Sequence, residues 1–114
     1  MSATDSDQLF QALAHQARRQ MMDLLQEAPG LTVAALASHF DISRIAVMKH
    51  LKVLETANLV LSKKSGRERH LFFNPVPIQM VYDRWTNKYS AFWSARLVDL
   101  KQRIETQNQG SQRA

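Results

Sequence analysis

Residues 32–57 contain two short helical segments separated by a brief interruption, and this spacing restricts the possible folds more than any other feature of the chain. Thr32 precedes an apolar stretch with helical spacing that reaches Phe40, and Ser43 precedes a second such stretch. Threonine and serine are favoured N-cap residues. Asp41-Ile42 interrupts the pattern between the two stretches. The sequence therefore predicts two short helices that meet at a tight turn.

The second helix has an apolar face, because Val47, Leu51 and Leu54 are spaced at i, i+4 and i+7. A helix-turn-helix also needs a small residue where the helices cross and a left-handed residue in the turn. Ala37 and Asp41 occupy these positions, and aspartate tolerates the left-handed region better than most side chains. Together they predict a helix-turn-helix over about 32–57. The other expected packing residues are Leu36, Phe40 and Ile42.

The opposite face of this helix is basic and is predicted to contact DNA. Recognition helices place their first turns in the major groove, where cations and exposed apolar side chains can meet base edges and thymine methyl groups. A merely solvated face is the alternative interpretation. His50 lies about 60° from the buried line, which favours a half-buried, hydrogen-bonded role over a base contact. The candidate DNA-binding residues of this helix are Ser43, Arg44, Ile45, Met48, Lys49, His50 and Lys52.

The pattern changes to β over about 59–74. Residues 59–62 and 71–73 are rich in strand-forming side chains and flank a polar, basic segment centred on Ser65-Gly66. This predicts a two-stranded hairpin directly after the helix-turn-helix, which is the arrangement of a wing. Any exposed hairpin carries charges, but this position favours DNA contact. The candidate wing contacts are Lys63, Lys64, Arg67 and Arg69.

Apolar and aromatic residues recur at helical spacing over about 78–107, without glycine or proline after Pro77. They predict a single C-terminal helix about 45 Å long, with more aromatic surface than one small core can cover. A homodimer would cover it; a helix lying on a membrane surface is the rival interpretation, against which its charges of mixed sign argue. The candidate dimer-interface residues are Leu9, Phe10, Leu13, Val81, Trp85, Tyr89, Phe92 and Trp93.

Composition narrows the function classes. The 114 residues are expected to form one domain that is mainly α with a small β-hairpin, and a net charge of +5 favours a polyanionic partner. The absence of cysteine excludes thiolate metal sites and cysteine nucleophiles. No catalytic motif or membrane-length apolar stretch occurs, so we expect a cytoplasmic protein that is not an enzyme. The polar residues before Asp7 and those from about 108 to 114 are expected to lack structure.

Three segments resemble the ArsR-type (arsenical-resistance-repressor-like) winged helix-turn-helix repressors. Residues 9–19 look like the opening segment of that family, residues 47–60 like its recognition helix and the start of its wing, and residues 64–72 like its hairpin. Met48 stands where the family often has serine, and Asn58 where it often has glycine. The resemblance implies a symmetric dimer that is joined by its first and last helices, binds double-stranded DNA at an inverted repeat and represses transcription.

The resemblance also bears on metals and effectors. Metal-sensing members use paired cysteines near the third helix, or histidine and carboxylate ligands on the last helix. This chain has no cysteine, and its last predicted helix carries carboxylates such as Asp83 and Asp99 but no histidine. The sequence thus resembles the non-metal-sensing branch, with no cofactor expected and the effector left open. The functional alternative is a winged-helix module that docks its basic face on an acidic protein.

Overall fold

The chain folds mainly into helices, with one small sheet. A computed structural model describes residues 2–86 and 90–113. It divides into two compact units, Met1–Met80 and Val81–Ala114. In chain order the elements are α1 (Ala3–Leu13), α2 (Gln16–Glu27), β1 (Leu31–Thr32), α3 (Val33–Ala37), α4 (Arg44–Thr56), β2 (Val60–Ser65), β3 (Glu68–Phe73), α5 (Val76–Thr86) and α6 (Ser90–Arg113).

A capping box begins α1. The Ser2 hydroxyl accepts the amide N–H of Asp5 at 3.1 Å, and the Asp5 carboxylate accepts the amide N–H of Ser2 at 3.1 Å. Hydrogen bonds from Ser2 to the carboxylate, first from its backbone N–H and then from its side chain, lower the pKa of Asp5. The expectation that the residues before Asp7 lack structure is wrong, because the reciprocal bonds satisfy two N–H groups that would otherwise be unpaired at the start of the helix.

The predicted caps of the helix-turn-helix are confirmed. The hydroxyl of Thr32 accepts from Ala35 N at the start of α3, and that of Ser43 accepts from Ala46 N at the start of α4, both at 3.1 Å. The expected left-handed Asp41 is wrong, because among the described non-glycine residues only Asn58 has a positive φ, 59°. The α3–α4 turn therefore closes without a left-handed residue.

Asn58 ends α4 in a Schellman motif. The amide of Asn58 donates to Glu55 O at 3.0 Å, and the amide of Leu59 donates to Leu54 O at 2.9 Å. This pair of bonds is the one that a left-handed residue after a helix permits. The motif turns the chain from α4 directly into β2.

The sheet has three antiparallel strands in the order β1-β3-β2, where the sequence predicted two. The hairpin turn contains Gly66 at φ 63°, as a two-residue type II′ turn requires at its first position. Gly30, at φ 88°, donates its amide N–H to Leu71 O at 2.8 Å and brings β1 alongside β3. The sequence did not predict β1, because a strand of two residues is too short to show a periodic pattern.

The core of the first unit lies between α1, α2, α3, α4 and the inner face of the sheet. The predicted inward line of Val47, Leu51 and Leu54 is confirmed, whereas Ile42, expected to pack, is exposed. The largest side chains that are less than 2% exposed are Leu9, Met21, Leu25, Leu36, Leu51, Leu54, Leu59, Leu71, Val47 and Val60.

The second unit is helical on both sides of residues 87–89, which lie outside the described part of the chain. A single continuous helix over 78–107 thus stays a prediction. Two i,i+4 ion pairs lie along α6, Asp99 with Arg103 at 3.2 Å and Lys101 with Glu105 at 3.8 Å. Within residues 2–86 and 90–113, no helix is both long enough and apolar enough to cross a membrane.

Candidate nucleic-acid interface

The outer face of α4 combines cations with exposed apolar side chains. Ile45 is 70% exposed and Met48 is 39% exposed, while Arg44, Lys49 and Lys52 are exposed around them. Large apolar side chains left in water on a helix that buries its other face indicate a contact surface. Arginine and lysine donors beside apolar groups are what the edges of base pairs and their flanking phosphates can bind.

This face continues toward the wing through an open groove of about 660 Å³. The groove runs between α4 and β3, and its lining residues include Ile45, Met48, Lys49, Lys52 and Arg69. The start of α4 also approaches the hairpin, since Arg44 and Arg67 line a smaller groove of about 210 Å³ beside α3. Helix α4 and the hairpin thus contribute cations to one surface.

Arg69 is held by α4. Its guanidinium is paired with the carboxylate of Glu55, and both side chains are about one-third exposed. The pair joins the last turns of α4 to β3, so this arginine positions the wing relative to the helix. The sequence predicted a DNA contact for Arg69; the guanidinium is paired with Glu55 and also lines the groove beside α4. No local pattern could have revealed the pair, because its members are 14 residues apart.

The other wing cations divide between the two faces of the hairpin. Lys64 pairs in register with Arg69, and Lys63 pairs with His70. Since successive side chains of a strand alternate between faces, Lys64 shares the face on which Arg69 meets α4, and Lys63 lies on the opposite face. Arg67 is exposed in the two-residue turn. The sequence predicted the same role for Lys63 and Lys64, whereas the structure places them on opposite faces of the hairpin.

His50 faces α2. Its ring is half-buried, and its Nδ1 lies 3.1 Å from Nη1 of Arg18. This contact agrees with the hydrogen-bonded, half-buried role predicted for His50. Arg18 was noticed in the sequence only through the family-like opening segment, which gave no indication of a partner on α4.

The candidate dimer-interface residues differ in their exposure to solvent. Leu9 is 1% exposed in the core of the first unit, so the expectation that its side chain meets a partner is wrong. Leu13 and Val81 are half-buried, and Phe10 is exposed on α1. Tyr89 lies outside the described residues. The exposed aromatic side chains of α5 and α6 are Tyr82, Trp85, Phe92 and Trp93.

Comparison with known proteins supports the same interpretation. A family profile described as a helix-turn-helix domain matches residues 13–62. The HTH-type transcriptional regulator YuzN of Bacillus subtilis is 39% identical over 87 residues, which cover 71% of this chain and 95% of the relative. The arsenical resistance operon repressor of Escherichia coli is 29% identical, over 86% of this chain and 73% of the relative.

The fold is also similar to that of a solved regulator. An ArsR-like transcriptional regulator from Rhodococcus sp. RHA1 superposes with a TM-score of 0.68 and 28% identity, over 93% of this chain and 98% of that one. Its fold class agrees with the helix-turn-helix and three-stranded sheet described above. The chain therefore belongs to the ArsR-type family of winged helix-turn-helix, DNA-binding transcriptional regulators.

Proposed function

We propose that the chain represses transcription as a homodimer that binds an inverted-repeat operator. The outer face of α4 carries this proposal, because it presents Ile45 and Met48 to solvent among cations. In the proposed complex the first turns of α4 enter the major groove, where Lys49 donates to guanine and Ile45 meets a thymine methyl group. Lys52, one turn later, is suited to a phosphate.

The wing supplies the second contact. Lys64 lies on the α4 side of the hairpin and Arg67 lies in its turn. Cations at such a turn can follow the phosphate backbone or enter a narrow minor groove. The Glu55–Arg69 pair fixes where the hairpin stands relative to α4, so both contacts are made at a fixed spacing. Ser43 and Lys63 stay candidate contacts at the edges of this surface.

Dimerisation is supported by the second unit. Trp85, Trp93 and Leu97 are each more than half exposed on α5 and α6. Aromatic surface of this kind is stabilised by burial against another helix. A second copy of the chain, which brings a second α4, would also match the two half-sites of an inverted repeat. We assign the protein no catalytic role and place its action in the cytoplasm, with the DNA.

Selection of bound duplexes from a random pool tests the proposal. We expect enrichment of a sequence with two inverted half-sites whose centres are separated by one helical turn, about 10 base pairs, or a multiple of it. Light scattering on the complex should report two chains. Enrichment without symmetry would contradict the dimer. Only weak, salt-sensitive binding with no enriched sequence would favour the alternative, in which the basic face docks on an acidic protein.

A further inference from the structure

Arg18 connects three parts of the first unit through one guanidinium. Its Nε donates to Ala12 O at 2.9 Å and its Nη2 to Gln11 O at 2.8 Å, so it satisfies carbonyl groups at the end of α1. Its Nη1 lies 3.1 Å from Nδ1 of His50 on α4. Because a guanidinium has donors and no acceptor, Nδ1 of His50 must be the acceptor. An accepting Nδ1 requires a neutral ring with its proton on Nε2.

The neighbouring arginine provides an internal comparison. Arg19 donates to Leu13 O at 2.6 Å. Both arginines of α2 thus hold the carboxyl end of α1, but within the described part of the chain only Arg18 also bonds to α4. The contact of Arg18 with His50 can therefore be distinguished from the capping of α1, which Arg19 also performs.

A second histidine adjoins the contact. His15 is the N-cap of α2, where its Nδ1 accepts the amide of Ala17 at 3.1 Å, and its ring centroid is 4.5 Å from that of His50. Burial, then His15, then Arg18 lower the pKa of His50. His15 and Arg18, the two side chains that lower this pKa, both belong to α2 and its N-cap.

We propose that Arg18 and His50 are positioning residues for DNA reading: neutral His50 holds α4 against the α1–α2 junction, and a proton on Nδ1 releases it. Protonation removes the acceptor and places two cations in contact, since Nδ1 then donates toward a group that can only donate. A recognition surface needs its side chains held within about 0.5 Å of their working geometry. A displaced α4 would therefore bind its preferred sequence less well. The inference rests on the proposed function, because it concerns how α4 recognises a DNA sequence.

The pH dependence of binding tests this arrangement. The probes are the duplex that the full chain selects from a random pool at pH 7.5 and a shuffled duplex of the same composition, with affinity measured by anisotropy from pH 8.0 to 5.5 at constant ionic strength. We expect the affinity of the wild type for the selected duplex to fall on acidification, by up to about tenfold per pH unit and per subunit below the pKa of His50. A histidine that touched phosphate would produce tighter binding on acidification, the opposite sign, and this result would overturn the proposal.

Substitutions separate the contact from simple structural loss. His50→Asn keeps an acceptor near the position of Nδ1 but does not titrate, so it should bind more tightly than His50→Ala at pH 7.5 and lose the acid-side decline. Arg18→Gln should also lose the decline, whereas Arg19→Gln should keep it. An unchanged decline in His50→Asn, or equal profiles for the two arginine variants, would overturn the proposal.

A measurement on the free protein separates this inference from the proposed function. The ¹⁵N resonances of the His50 ring should show an unprotonated Nδ1 and a protonated Nε2 at pH 7.5, and the Nδ1 resonance should move in Arg18→Gln, which removes its hydrogen-bond donor, but not in Arg19→Gln. The opposite tautomer in the wild type would contradict the contact. If the pool yields no preferred sequence while the Nδ1 resonance moves in Arg18→Gln alone, the operator proposal fails and the Arg18–His50 contact stands.

Discussion

Lys49 and Arg67 are both exposed cations, but they lie on elements that meet DNA in different ways. Lys49, near the start of α4, can donate to guanine O6 and N7, so Lys49→Ala should cost about 1–3 kcal/mol on the selected sequence and relax base preference there. Arg67→Ala should weaken selected and random duplexes evenly and reduce the salt slope by roughly one per subunit. Salt titrations on both duplexes measure this. A change of base preference in Arg67→Ala alone would contradict our assignment.

Lys63 and Lys64 form a matched pair on one strand. They carry the same charge, but only Lys64 shares the hairpin face on which Arg69 meets Glu55. We therefore expect Lys64→Ala to weaken binding to any duplex and to lower the salt slope, and Lys63→Ala to have the smaller effect. Equal losses would indicate that the hairpin twists both lysines toward the backbone of the DNA.

Single residues also mark the limit of prediction from the sequence. Val47, Leu51 and Leu54 were predictable, because burial on a helix leaves a period that one segment displays by itself. The roles of Arg18 and Arg69 were not, because each depends on a partner brought close by the fold, His50 at a separation of 32 residues and Glu55 at 14. Charge alone marked Arg69 as a candidate DNA contact, whereas its pairing with Glu55 depends on the fold.

At the scale of elements, the end of α4 gives a test of the Schellman motif. Asn58 has a φ of 59°, where a side chain with Cβ costs about 1–2 kcal/mol unless it is asparagine or aspartate. Asn58→Ala should lower the free energy of unfolding by about 1 kcal/mol, whereas Asn58→Gly should leave it nearly unchanged. Urea denaturation of both variants measures the difference. Equal stabilities for the two would show that the positive φ imposes no strain.

The N-cap of α2 gives a second test, in which the direction of the change in the pKa of His50 is defined. Serine is a better N-cap than histidine and carries no charge, so His15→Ser should preserve α2 and raise the pKa of His50 toward its ordinary value of 6.5. The folded-state pKa of His50 is below its unfolded value. Its stabilising effect is therefore fully present above about pH 6.5 and is lost as the pH falls through the folded-state pKa. NMR titration of the ring and urea denaturation at pH 7.5, 6.5 and 5.5 measure both effects; an unchanged pKa would contradict the coupling.

Elements were predicted best where a cap and a period agree. Thr32 and Ser43 predicted the starts of α3 and α4, because their hydroxyl groups accept an amide N–H within the first turn of the helix that follows. Strand β1 was missed because its pairing depends on Gly30 and Leu71, which lie 41 residues apart. The left-handed conformation expected for Asp41 is absent, because tolerance of that conformation does not require it.

For the whole molecule, the prediction is a homodimer. Light scattering should report twice the monomer mass of 13.1 kDa, and Trp85→Ala should shift the equilibrium toward monomer because a large aromatic surface is removed. Lys101→Ala is the control, since this lysine lies on α6 in an exposed ion pair with Glu105 that contributes little. A strictly monomeric wild type at micromolar concentration would contradict the dimer.

The placement of the two tryptophans has a spectroscopic consequence. Trp85 and Trp93 both lie in the Val81–Ala114 unit, 63% and 56% exposed, and the sequence has no other tryptophan. Indole emission therefore originates outside the unit that contains α4 and the hairpin. Denaturation followed by intrinsic fluorescence should report the helices of the second unit alone, whereas far-ultraviolet circular dichroism should report both. A blue shift on concentrating the protein, without added dye, would follow the covering of these rings by a second chain.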